Sequence, residues 1–397
     1  MKKRITPVTF HYMLITGGFW MAFCVVSAYA AVYLQGLGYS NAELGIIMAA
    51  GNIGGAVLSP VLGAWIDRNR SVRHAWVIYA LLGIQASLLI LLRTHLQKDM
   101  LSSVCYALYM ATLLPVNAMN LDLCVRLEHA GAPLDFGTAR SVGSFAFMVL
   151  SILLGILTER LTYTVLPLAG LAVIALQALS NAVIDRDLRE AEKNSAVPEA
   201  EKTERSASMP AFVRENKAFC VMLLGTVLIF TAHNTDGNFL INEIRNLGGD
   251  TAVMGYVAAF QAIVEVPIMI FASRLPKRWG LDRYIRLSFL FFVIKILSYA
   301  LAPNIPLFFA ARVFQAPSYA LYTVLTVPYI DLVVPHKDSA KAQSLAFSMT
   351  NVGSVLASLA GGALFDACGV RDTMLIATGI AAVGAVIASA GTLRKKG

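Results

Sequence analysis

Apolar residues along the chain gather into twelve windows, at about 8–34, 43–66, 75–92, 100–125, 141–158, 164–184, 218–242, 251–273, 284–301, 307–330, 342–365 and 373–393. Each has roughly the length of a helix that crosses the hydrocarbon of a bilayer. Short polar turns separate most of them, and one longer polar segment stands in the middle. That segment, Asp185 to Lys217, holds seven Lys/Arg and eight Asp/Glu with Pro198 and several serines. Such a stretch buries too little apolar surface to pack, and it reads as a solvated linker. The pattern predicts an all-α membrane protein of twelve transmembrane helices in two pseudo-symmetric six-helix bundles. The bundles are expected at 1–184 and 218–397, joined by a cytoplasmic linker at 185–217.

Composition agrees with this reading. Of 397 residues 57% are hydrophobic and only 14% charged, against roughly a quarter charged in a soluble domain. Twelve spans leave no room for a separate catalytic domain. The net charge of +8 could suggest a nucleic-acid partner in a soluble chain, but here its placement matters more. With the N-terminus inside, 25 Lys/Arg fall on the inner side and five on the outer, while Lys295 and Arg312 lie within spans. The positive-inside rule then puts both termini in the cytoplasm, with the chain in the inner membrane. The first apolar run continues to Leu34, beyond the signal-peptidase-like Ala28-Tyr29-Ala30, and reads as a retained helix. The five cysteines are odd in number and show no C-x-x-C spacing, so they read as small apolar residues.

A charge near the bilayer centre costs about 2.5–3.5 kcal/mol even on a lenient insertion scale. Charged and titratable residues inside spans are therefore the places to look for function: Asp122, Arg140, His233, Asp236, Glu265, Lys295 and Arg312. In span five Arg140, Ser144, Phe147 and Ser151 recur along one helical stripe, and Lys341, Ser344, Ser348 and Asn351 do so in span eleven. Small-residue helix packing would explain the serines equally well. In span seven His233 and Asp236 lie three apart, Asn234 and Asn238 four apart, around Gly237. In span eight Gln261 and Glu265 share a face before Pro267, and span ten carries Arg312, Gln315, Tyr319 and Tyr322. For the cations, an Asp236–Arg312 or Glu265–Lys295 pair is as good a reading as a substrate contact. Cytoplasmic loops at Gly63–Arg68 and Ser273–Gly280 carry charge that could act in gating through Asp67 and Arg68, or serve only topology. No Walker, G-x-G-x-x-G, H-E-x-x-H or G-x-S-x-G sequence occurs, and nothing reads as an enzyme or as requiring a cofactor.

A weak repeat relates the halves: Gly137-Thr-Ala-Arg140-Ser-Val-Gly-Ser144 opens span five and Ser339-Ala-Lys341-Ala-Gln-Ser344 opens span eleven, 201 residues later. Together with the linker and the Gly63–Arg68 loop, this architecture resembles the major facilitator superfamily over essentially the whole chain. Arg70 stands where that loop motif usually has a second glycine. Gly45-Ile-Ile-Met-Ala-Ala50, Asp122, Asp135-Phe136-Gly137-Thr-Ala-Arg140, Gly255-Tyr-Val257 and Gly280 are similar to the lactose and phenylpropionate permease branch.

The resemblance implies that Asp122 and Arg140 face each other across a cavity and bind substrate, and that Phe147 stands where a Trp stacks on sugar. Lys295 falls where an Arg is expected, while Gln315 and Ser318 replace a His and a Glu of the proton-coupling machinery. The expected function is secondary active transport of a small polar organic solute (sugar-like, nucleoside or aromatic acid), driven by protons and working as a monomer. Substrate contacts are expected at Asp122, Arg140, Ser144, Phe147, Asn234, Asn238, Lys295 and Gln315. Proton coupling is expected at Glu265 with His233 and Asp236, and a structural charge at Arg312. The alternatives are a drug or metabolite exporter of the same fold and a non-transporting membrane sensor.

Overall fold

The computed structural model describes residues 6–69, 72–132, 134–194, 208–271 and 279–393. In chain order its helices are α1 (Pro7–Phe23), α2 (Ala30–Gly36), α3 (Asn41–Arg68), α4 (His74–Thr94), α5 (Met100–Ala111), α6 (Leu113–His129), α7 (Phe136–Leu161) and α8 (Val165–Asn194). Inside the segment read as linker comes α9 (Met209–Glu215), followed by α10 (Lys217–Asn246), α11 (Thr251–Phe271), α12 (Leu281–Ala300), α13 (Ile305–Ala311), α14 (Leu321–Val333) and α15 (Ser339–Gly391). Among the described residues, nine helices are long and apolar enough to cross a membrane. One of these includes the 53-residue α15, which turns sharply at Gly369 (φ 74°, ψ −177°) and so holds both of the last two apolar windows. The positive φ there is one that L side chains rarely adopt. The ninth and tenth windows are occupied by α12 and by the interrupted run α13–α14.

Many large apolar side chains face outward, among them Ile46, Val57, Trp76, Leu179, Leu224 and Val386. In water such a surface would be a liability, whereas in lipid it costs nothing. Local chemistry sets several ends. Thr6 Oγ1 accepts from the Thr9 N–H at 3.2 Å before Pro7 opens α1, and Asn304 Oδ1 accepts from the Leu307 N–H at 3.0 Å before α13. The solvated linker expected at 185–217 differs from the structure at both ends: α9 forms inside it because Phe212 is buried in the core of the second unit. Helix α8 runs about ten residues into the segment read as linker, because Arg189 pairs with Asp185 and Arg186 with Glu190 one turn apart, extending a polar helix into solvent. The rest of the linker that precedes Ser208 lies outside the described residues.

The chain divides into two compact units. The first is Met1–Tyr39, Ile47–Glu199 and Thr251–Ala259; the second is Ser40–Ile46, Ala200–Asp250 and Phe260–Gly397. In the first unit the core includes Tyr12, Ile15, Leu123, Leu127, Ile184 and Leu188. Its α1 and α7 approach closely at glycine, since a Cβ at Gly143 would meet the Trp20 ring at 2.3 Å. In the second unit Phe219, Met222, Phe289, Phe292, Tyr329 and Ile330 fill the core. There α10 lies against α15 almost backbone to backbone: a Cβ on Gly225 would stand 2.3 Å from Ala388 N, and one on Gly384 would stand 2.7 Å from Gly225 O. Such contact is how membrane helices gain dispersion energy where lipid removes the hydrophobic drive.

Candidate functional site

The second unit holds a chain of polar side chains deep among apolar helices. It begins on α10, where His233 and Asp236 share a face and the backbone leaves helical geometry at Phe239 (φ −120°, ψ 20°). It is completed by span ten, which is broken: Arg312–Gln315 forms a 3₁₀ turn and Ala316–Ala320 a π-helical turn containing Pro317. Pro317 lacks an N–H, and such local winding changes re-aim side chains that a regular helix would spread differently. Here they bring Arg312 and Gln315 both inward, at 0% and 1% exposure.

Arg312 meets Asp236 twice: Nη1 donates to Oδ2 at 2.8 Å and Nη2 lies 2.8 Å from Oδ1. Nη1 also donates to Gln261 Oε1 at 3.0 Å. The guanidinium sits over the rings of Tyr299 (4.0 Å) and Phe308 (4.4 Å), which cover a cation that no water reaches. Beside this pair, Lys295 Nζ lies 2.8 Å from His233 Nδ1 and donates to Gln315 Oε1 at 3.1 Å, while Gln315 Nε2 donates to Glu265 Oε1 at 2.8 Å. An ammonium can only donate, so His233 Nδ1 is the acceptor and its ring proton belongs on Nε2. The Tyr319 and Phe292 rings stand 5.1 and 5.5 Å from the His233 ring.

These positions refine the expectations. Asp236 and Arg312 are directly paired, whereas the amide of Gln315 bridges Lys295 to Glu265. Asn238 is occupied structurally, donating to Ser358 Oγ at 3.0 Å between α10 and α15, and Asn234 is half-buried. Glu243 was missed: it is 2% exposed and lies two turns beyond Asp236 on α10. It stands one residue past the apolar window at 218–242, although its seven-residue spacing from Asp236 is visible in the sequence.

In the first unit, Asp122 accepts from Arg126 Nε at 2.6 Å, one turn along α6, and lies 3.2 Å from His74 Nδ1. His74 was absent from the expectation because it sits at the start of α4, far from Asp122 in sequence. Asp122 therefore draws its compensation from Arg126 and His74, where the sequence suggested Arg140. The Arg140 guanidinium lies 4.3 Å from the centroid of Trp20. Trp20 packs against Phe23 in a tilted arrangement, centroids 5.4 Å apart, and Phe23 approaches Phe147 at 6.5 Å, so a half-exposed aromatic row runs beside Arg140 and Ser144. Trp20 and Phe23 were missed since, inside an apolar window, two aromatics three apart look like packing. A π-helical turn at Cys24–Ala28 follows directly. Arg68 is the exposed last residue of α3; the side chain of Asp67 and the loop residues Ser273–Arg278 lie outside the described residues. Among the described residues no group of His, Cys, Asp and Glu is arranged to hold a metal ion.

Comparison with known proteins agrees with this architecture. The MFS_1 like family matches residues 12–376. The chain is 25% identical to the maltose permease of Geobacillus stearothermophilus over 374 residues, covering 92% of this chain and 88% of that protein. It is 26% identical over 250 residues to an Escherichia coli (strain K12) protein named "Probable 3-phenylpropionic acid transporter", covering 62% of each. The crystal structure of the nucleoside transporter NupG superposes with a TM-score of 0.75 at 15% identity, covering 98% of this chain and all (100%) of that one. A membrane-spanning, nearly all-helical chain matched by that family from its first helix to its last belongs to the MFS_1 like family, and it is an integral membrane transporter of the major facilitator type.

Proposed function

We propose that this protein is a secondary active transporter that takes up a small polar organic solute with protons, by alternating access. The observation that carries the reading is the buried network of the second unit. Two cations and their acids held out of water cost several kcal/mol per ion unless the arrangement is used, and a transporter uses it by changing charge or partner as it cycles. Glu265, half-buried at one end, is the acid placed to exchange a proton, with His233 and Asp236 as its neighbours in the relay. Lys295 and Gln315 set the charge around them, and Arg312 holds Asp236 in place.

In the first unit the solute contacts belong to Arg140, Ser144 and Phe147, with Trp20 and Phe23 offering ring faces; within the second unit, Asn234 is assigned to solute binding. A cation beside aromatic rings suits a hydroxylated ring or an aromatic carboxylate: rings stack on the apolar face and the guanidinium binds hydroxyls or a carboxylate in two-pronged fashion. The relatives' names point to the same classes, maltose for one and 3-phenylpropionic acid for the other. Asp122 is assigned to solute binding in the first unit, and Asp67 and Arg68 to gating on the cytoplasmic side.

The test starts with a thermal-shift screen of the purified protein against sugars, nucleosides and aromatic acids, because a ligand of the folded state raises apparent stability. The solute that scores is then followed into proteoliposomes with and without an imposed pH gradient. Accumulation driven by an outside-acid gradient supports the reading. Uptake that ignores the gradient overturns proton coupling, and accumulation only when the gradient is reversed makes the protein an exporter.

A further inference from the structure

A second acid of the network has a position that the reading above leaves unused. Glu243 is buried, and neither carboxyl oxygen has a hydrogen-bond donor. The charged groups around it are Asp236 on its own helix, Lys295 on α12 and Arg312 in span ten, with the Tyr299 hydroxyl close by. Asp236 is already paired with Arg312, and Glu243 is set against that same Asp236. An ionised Glu243 would therefore add a second negative charge beside Asp236, with no donor to either of its oxygens. A proton on Glu243 removes the excess and supplies the missing donor, aimed at the Asp236 carboxylate.

Glu243 also lines a cavity of about 340 Å³, together with Asn246, Tyr299, Pro303, Phe308 and Arg371. All of these residues belong to the second unit. The cavity lies among the ends of α10 and α12 and the bend of α15, on the face that the Lys/Arg asymmetry assigns to the outside. Glu243 stands three residues from the outer end of α10, about 10 Å along the axis from Asp236. Glu265 stands toward the inner end of α11. The two acids thus bracket the Asp236–Arg312 pair from opposite sides of the membrane.

We propose that Glu243 is the outward proton acceptor of this transporter, loaded from the outer aqueous phase through the 340 Å³ cavity and holding its proton against Asp236. The proposal rests on the proton-coupled reading but makes a separate prediction, because protonation of Glu243 is observable without any solute. The proton comes from outer water, the carboxylate becomes a neutral acid, and Arg312 keeps Asp236 as its anion. Arg371, at the cavity, is the outermost charge the proton passes.

The experiment is pH-jump infrared difference spectroscopy on the full-length protein in lipid nanodiscs, following the carbonyl stretch of a protonated carboxylic acid. The wild type should show titrating bands of which one component is lost in Glu243→Gln and kept in Glu265→Gln. Glu243→Asp, which keeps the acid, should show the band shifted. In Ala302→Trp, which fills the cavity, the band should appear at least tenfold more slowly. A spectrum unchanged by Glu243→Gln, an unshifted component in Glu243→Asp, or no titrating band in the wild type overturns the assignment. An unchanged rate in Ala302→Trp overturns the access route. Wild-type proteoliposomes that ignore a pH gradient while the Glu243 band titrates overturn the coupling reading and leave the protonation site standing.

Discussion

Arg312 and Asp236, separated by 76 residues in the chain, form a two-point contact at 2.8 Å inside the second unit, with the guanidinium covered by Tyr299 and Phe308. The guanidinium meets both carboxyl oxygens, Nη1 through a hydrogen bond and Nη2 through a close charge contact, a reach that a lysine point charge does not reproduce. Removing one partner leaves an uncompensated buried charge, which costs about 3–5 kcal/mol, whereas removing both leaves none. Asp236→Asn and Arg312→Gln should each lower the unfolding temperature strongly, and the double variant should be more stable than the sum of the two predicts. Thermal unfolding in detergent over the four-protein cycle checks this, and additive losses would show the two residues to be energetically independent.

Phe147 and Trp20 should behave as ring platforms for the solute. Exchange of Phe147 for Trp or Tyr should preserve affinity, and Leu should weaken it by about 0.5–1.5 kcal/mol, roughly two- to tenfold. Arg140→Lys should bind poorly, since a point charge cannot make two parallel contacts. Titration calorimetry with the solute found in the thermal screen reads all three, and equal binding by Phe147→Leu would reduce Phe147 to a packing residue.

Glu265→Gln should separate coupling from binding. Gradient-driven accumulation should disappear while solute-for-solute counterflow continues, because exchange requires no net proton release. Counterflow and pH-driven uptake in the same proteoliposomes supply both readings, and surviving accumulation would remove Glu265 from the coupling path.

Asp99 caps α5 from outside the spans, accepting from the Ser102 N–H at 2.8 Å with His95 Nε2 at 2.5 Å. The Ser102 amide first, and His95 second, hold its carboxyl below the usual range. A depressed acid stabilises the fold above its unfolded pKa, near 3.9, and that contribution fades as pH falls through the lower folded value. Asp99→Ala should therefore melt lower than wild type at neutral pH, with the gap narrowing below about pH 4. A gap independent of pH would mean that the cap acts through shape alone.

Gly225 tests the helix seam of the second unit. Its Cβ would meet Ala388 backbone nitrogen at 2.3 Å, and backbone cannot swing aside as a side chain can. Gly225→Ala should cost on the order of 1–3 kcal/mol through forced separation of α10 and α15. The same substitution at Gly379, with nothing within 4 Å of its Cβ, is the control that should change little.

Hydropathy alone was enough to place the membrane segments, because the bilayer acts on every span independently and leaves a signal about twenty residues long in each. The buried charges were legible for the same reason: Asp236, Lys295 and Arg312 are conspicuous in apolar windows whatever they touch. Their partners were not. Arg312 meets Asp236, and Lys295 reaches Glu265 through Gln315, only because span ten winds first as a 3₁₀ and then as a π turn, and no residue but Pro317 hints at that break. His74 beside Asp122, and Trp20 under Arg140, are contacts between helices distant in sequence, which local periodicity does not encode. Glu243 was hidden for the opposite reason: a hydropathy window ends at the first polar cluster, while the helix itself continues wherever its neighbours bury it. Sequence thus determined which groups must be compensated inside the membrane, since that cost belongs to each residue and its solvent. Tertiary structure decided who compensates whom, since that depends on rotations and breaks of helices set by packing along their whole length.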